Sequence, residues 1–119
     1  MYREIKVGEK SIPMKATAAT ALRYRHVFGK DLMTELQKSD GNAAIGLDTI
    51  QQLAFIMACA ADPEKDMNKL NEDIFIDWLD KFESFALLEA TEDIVDLYVG
   101  NTKSLSEVKK NAGDAVSES

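Results

Sequence analysis

His26 and Cys59 are each the single residue of their kind in a chain of 119, and they are the two side chains best suited to nucleophilic chemistry. They fall in different predicted helices, and neither has an identifiable orienting group nearby in sequence. Cys59 sits inside the apolar run Leu53-Ala-Phe-Ile-Met-Ala-Cys-Ala-Ala61, where a cysteine serves as a small buried hydrophobe. His26 lies near a predicted helix C-terminus and reads as a surface residue. One Cys and one His exclude a zinc cluster and any intrachain disulfide, and neither glycine-rich phosphate loop pattern occurs. Asp62-Pro-Glu-Lys-Asp-Met-Asn68 carries oxygen donors at alternate positions, yet Met67 stands where a calcium loop needs glycine, so it reads as a solvated linker between helices. The acid rows Asp73, Asp77, Asp80 and Glu89, Glu92, Asp93, Asp96 have helical spacing and read as solvated faces. Exposed carboxylates titrate near 4, too low for proton transfer at neutrality. The expectation is a protein with no catalytic residue, no cofactor and no metal, and therefore not an enzyme.

The elements that hold these residues are mainly helical. Tyr2–Val7 alternates polar and apolar, Gly8-Glu-Lys10 turns, and Ser11–Lys15 returns with Ile12 and Met14 two apart, a β-hairpin over 2–15. Pro13 lacks a donor and limits pairing on its strand. Because a bare hairpin is marginal in water, it must pack on helices. Thr17 is the expected cap of a helix that Gly29 ends in a left-handed conformation, with Ala18, Ala21, Leu22, Tyr24 and Phe28 on one face and Arg25 among them. A short helix over 30–38 points Leu32, Met33 and Leu36 inward before Ser39-Asp-Gly-Asn42 breaks it.

Asp48 and Gln51 have capping-box spacing before Ile50–Ala61, the most apolar segment and the expected central helix, which Asp62-Pro63 ends. Asn71 caps a helix striped with Ile74, Phe75, Trp78, Leu79 and Phe82. After Ser84 a final helix puts Leu87, Ala90, Ile94, Leu97 and Tyr98 on one face and stops at Gly100. The fold class is thus mainly α, a short N-terminal β-hairpin packed on a bundle of about five helices over 17–99. Residues 1–100 read as a single globular domain, and 101–119 as a mobile polar tail with too little apolar surface to offset ordering.

The net charge is −7, unevenly placed. Residues 1–40 hold eight basic against five acidic residues, a net of +3, and 41–119 hold six against sixteen, a net of −10. A surface so acidic repels nucleic-acid phosphates and anionic membranes. No apolar run approaches the roughly 20 residues of a membrane helix, and the charged N-terminus is unlike a signal peptide. These features point to an intracellular, cytoplasmic chain that engages neither membrane nor nucleic acid.

Arg25 among apolar neighbours is expected to form an internal ion pair, with Glu35 or an acid of a later helix, because an unpaired buried charge is costly. Trp78 reads as core first and anchor second. Arginine and aromatic residues are the usual anchors where an interface exists, which makes Arg23, Tyr24, Arg25, Phe28, Trp78, Phe82 and Phe85 the candidate partner-binding residues.

The hairpin followed by Met14-Lys-Ala-Thr-Ala-Ala-Thr20 and Arg23-Tyr-Arg-His-Val-Phe-Gly-Lys-Asp31 resembles the tail assembly chaperones of long-tailed phages and prophages of Gram-positive bacteria. Phe82-Glu-Ser-Phe85, Ile94-Val-Asp-Leu-Tyr98 and Asn101-Thr-Lys extend the likeness over about residues 4–110. The resemblance implies a non-enzymatic protein that binds the long, helical, aggregation-prone tape measure protein and helps tail-tube subunits gather around it. It also implies a host-cytoplasmic protein outside the mature virion, the shorter of two frameshift-related products, and it leaves self-association open. The alternative reading of the acidic portion is an adaptor or nucleic-acid mimic that binds a basic protein partner.

Overall fold

Two antiparallel strands, β1 (Tyr2–Val7) and β2 (Lys10–Lys15), open the chain in register Tyr2 to Lys15 through Val7 to Lys10. The computed structural model describes residues 1–37 and 46–100. The expected break at Ser39–Asn42 and the tail at 101–119 lie outside the described residues. Gly8 turns the hairpin with φ at 65°, a left-handed geometry that side chains other than glycine resist. Ile5, Val7, Met14 and half-buried Ile12 share the face turned to the helices, while Glu4, Lys6, Ser11 and Lys15 face water. That period of two is the alternation seen in the sequence.

Among the described residues six helices follow: α1 (Thr20–Phe28), α2 (Leu32–Gln37), α3 (Leu47–Ala61), α4 (Glu72–Leu79), the single turn α5 (Ala86–Glu89) and α6 over 91–100, with a 3-10 turn at Met67–Lys69. Helix α3 is apolar on nearly every side, so it occupies the centre, where β2, α1, α2, α4 and α5 all pack against it. Leu53, Phe55, Ile56 and Met57 are fully buried there. Each such side chain contributes roughly 1.5–3 kcal/mol on leaving water.

Local signals explain several boundaries. The Asn71 side chain accepts from Ile74 N–H at 2.9 Å and caps α4 as expected. Gly29, at φ 69°, closes α1 with its N–H on the Arg25 carbonyl.

Other boundaries differ from expectation. Thr17 accepts from Ala19 N–H and Thr20 Oγ1 accepts from Thr17 N–H, so the two hydroxyls close a lead-in turn and regular helix begins three residues later, at Thr20. The capping box at Asp48 and Gln51 is absent: α3 starts at Leu47, and Asp48 accepts from Thr49 N–H, a free donor of the first turn, with Oδ1 and pairs with Lys30 through Oδ2. The final helix is two pieces. Thr91 Oγ1 donates to the Leu88 carbonyl at 2.6 Å, and Ala90 N–H turns to Leu87 and Leu88, which interrupts the ladder before Ile94 resumes it on Ala90. Leu87, Ala90, Ile94, Leu97 and Tyr98 nevertheless all reach the core.

Helix α1 keeps Ala21, Tyr24 and Phe28 of its expected face against the core, but Leu22 and Arg25 point outward, as does Ala18 in the lead-in turn. Arg25 is exposed, so its charge stays in water and needs no internal acid. Met33 of α2 is likewise outward while Leu32 is buried. Among the described residues, no helix is long and apolar enough to cross a membrane.

Candidate functional site

Four of the candidate residues meet in one chain of aromatic rings. Tyr24 lies 5.4 Å from Phe28, and Phe28 lies 5.0 Å from Phe75 and 6.3 Å from Phe55 between ring centroids. Phe55 touches Phe75 at 5.2 Å and Trp78 at 5.6 Å, and Trp78 meets Phe82 at 4.8 Å. The pairs are tilted or edge-on, the arrangement that ring quadrupoles favour. Helices α1, α3 and α4 each supply rings, so the aromatics fasten three elements together before they serve any partner.

The inner end of this chain is closed. Tyr24 is fully buried, and its hydroxyl donates to Gln52 Oε1 at 2.7 Å. Burial pushes the phenol up to about 12. Tyr24 is therefore removed from any partner surface, and Phe28 is half-buried beside it.

The outer end is accessible. Trp78 and Phe82 are half-buried, and Lys10 Nζ sits 5.5 Å over the Phe82 ring while donating to the Lys81 carbonyl at 3.0 Å. A hollow of about 190 Å³ opens between the hairpin turn and Phe82, lined in part by Val7, Gly8, Lys81 and Ala86. A second, of about 270 Å³, lies between β2 and the end of α3, with Ile12, Cys59, Lys65, Trp78 and Lys81 in its wall. Cys59 is buried, and desolvation holds its thiol at about 11, so at neutral pH it is a thiol and a poor nucleophile.

Arg23 and His26 line a different hollow, of about 180 Å³, together with Val27, Met67, Asn68 and Leu70. His26 and Cys59 thus belong to separate walls. Two of the three acids of the 62–68 loop are occupied by backbone: Asp62 Oδ1 accepts from Glu64 N–H and Asp66 Oδ1 from Asn68 N–H, each at 2.9 Å. Among the described residues, no group of three or more His, Cys, Asp or Glu is placed to hold a metal ion.

Phe85 stands apart from the aromatic chain at 63% exposure, and Leu88, one helical turn on, is 40% exposed. Comparison with known proteins adds no relative: no family model, curated protein or solved structure matches the chain. The surface therefore has to be read on its own chemistry. Leu22 and Ile76 are also half or more exposed, at 53% and 52%, on α1 and α4. Sequence reasoning placed Leu22 in the core and passed over Leu88 and Ile76. The available signal was an excess of large apolar residues in 85–99 over what one buried face can accept.

Proposed function

We propose that the protein is a tail assembly chaperone of the long-tailed phage type, one that binds the tape measure protein, keeps it dispersed and promotes assembly of tail-tube subunits around it. In this reading it acts in the cytoplasm of the bacterial host, performs no chemistry and is left out of the mature virion. The mechanism is physical: large apolar side chains held in water cover apolar surface of the client, while acidic neighbours keep the complex from aggregating.

The observation that carries the reading is the exposure of Phe85 and Leu88 among the acids Glu83, Glu89 and Glu92. Such side chains gain by covering an apolar partner, and a helical client offers matching surface. The family-like words are consistent with it, since Met14–Thr20 runs from β2 into the lead-in turn and Arg23–Asp31 spans α1 and its Gly29 cap.

The exposed acids also favour a second reading, an acidic adaptor or nucleic-acid mimic that holds a basic protein. Co-expression with a tape measure protein separates the two. A chaperone raises the soluble yield of that protein and co-elutes with it on a sizing column, in a complex that survives high salt. A charge mimic leaves it insoluble, and its complexes dissolve as salt screens them. No soluble gain and no complex would refute the chaperone assignment.

A further inference from the structure

The stretch formed by α5 and α6 has two apolar faces, and only one is covered. Leu87, Ala90, Ile94, Leu97 and Tyr98 point into the core. On the opposite side Phe85, Leu88, Glu92, Val95 and Val99 follow one another at spacings of three and four, the step of a helix-pairing seam. Phe85, Leu88 and Val99 are exposed, whereas Val95 is half-buried and packs against the core. Phe85 stands just before α5, and the turn at Ala90 separates Leu88 on α5 from Glu92, Val95 and Val99 on α6.

Charge selects the occupant. Glu92 interrupts the seam, and Glu89 and Asp96, one heptad apart, run along one edge, all three exposed. The adjacent Asp93 already pairs with Arg3 at 3.2 Å, so β1 neutralises that acid and leaves the other three to a partner. A second copy of this chain would set the same acids against each other on a molecule of net charge −7.

We propose that this outer seam is the docking site for a lysine-rich amphipathic helix of another protein, with Phe85 and Leu88 as its anchors and Glu89, Glu92 and Asp96 as its charge register. This rests on the reading of the protein as a holder of a helical client, and it names the surface used and the charge of the client helix. The client's apolar stripe lies along Phe85, Leu88 and Val99, and its lysines reach the acidic edge. Apolar contact supplies the hold and the acids supply rate and orientation.

The test uses the full chain and a labelled synthetic peptide of about three heptads, with Leu at a and d and Lys at e and g. Fluorescence anisotropy should show saturable binding that weakens about tenfold or more in F85A/L88A, the loss expected of central anchors. The Glu-flanked version of the peptide should not bind. I76A, which trims exposed apolar surface on α4, should bind as the parent does, and circular dichroism should report native helix content for both variants. Equal affinity for the parent and F85A/L88A, or loss confined to I76A, overturns the seam. Salt-abolished binding that ignores F85A/L88A also overturns it, in favour of charge alone. Self-association of the chain that F85A/L88A removes would instead assign the seam to a second copy.

The client itself separates this proposal from the chaperone assignment. If F85A/L88A still keeps a tape measure protein soluble, the seam fails and the assignment stands. If the parent binds the peptide through the seam yet leaves that protein insoluble, the assignment fails and the seam stands.

Discussion

The Tyr24 hydroxyl donates to Gln52 Oε1 at 2.7 Å across 28 residues of sequence, and both side chains are buried. This bond joins α1 to α3 and, with the packing of Ala21 and Phe28 on the core, holds the orientation in which Tyr24 turns inward and Leu22 and Arg25 face water.

Replacing Tyr24 by Phe leaves the Gln52 amide oxygen buried without that donor. The expected cost is about 1–3 kcal/mol. Urea unfolding should show a lower midpoint with an unchanged slope, and the double variant Y24F/Q52L should recover part of the loss. An unaltered midpoint in Y24F would mean that the hydroxyl contributes nothing to holding α1.

Alkaline pH should destabilise the protein over two overlapping ranges. Both raised groups favour their neutral forms in the fold, so their contribution is fully present below the unfolded values of 9.0 for Cys59 and 10.0 for Tyr24. It is lost as pH rises through about 11 for Cys59 and about 12 for Tyr24. Melting temperature should be flat up to about pH 9 and then fall, each group accounting for roughly 1–3 kcal/mol. In C59A the decline should begin about one unit later, and a thiol reagent at pH 8 should react slowly with the native parent and quickly in urea.

Gly29→Ala isolates backbone strain. A Cβ at this position meets nothing within 4 Å, yet φ is 69°. The cost is therefore conformational, about 1–2 kcal/mol, and Gly29→Asn should lose less, since Asn tolerates the left-handed region. Equal stability of all three proteins would show that α1 does not depend on this cap.

Phe28 and Phe85 should respond in opposite ways to truncation. Phe28 touches Tyr24, Phe55 and Phe75, so Phe28→Ala should cost about 3–5 kcal/mol and shift Trp78 emission as the aromatic chain loosens. Phe85→Ala removes a ring that is 63% exposed and should change stability by no more than about 0.5 kcal/mol. A large loss in F85A would place that ring in the core and end its candidacy as an anchor.

Much of this fold is legible in short stretches of sequence. The alternation of Ile5, Val7, Ile12 and Met14 announces the hairpin, the apolar run to Ala61 announces the central helix, and Asn71 announces α4. These features rest on hydrogen bonds and side chains within a few residues of one another, which is why composition and spacing suffice to read them. The candidate site is less legible. Tyr24, Phe28, Trp78 and Phe82 were recognisable as aromatic anchors, yet the rings that join them, Phe55 and Phe75, come from α3 and α4 and turn the group into core.

What only the tertiary structure decided is direction. Helical periodicity marks several apolar residues of α1 but cannot rank Tyr24 above Leu22, because the ranking depends on what α3 and α4 place opposite, Gln52, Phe55 and Phe75 included. It also marks too many apolar residues between 85 and 99 for one face. Packing of Leu87, Ala90, Ile94, Leu97 and Tyr98 against the core then decides that Phe85 and Leu88 stay outside. Local interactions choose the element, and the limited room around α3 chooses which side of each element is hidden from water.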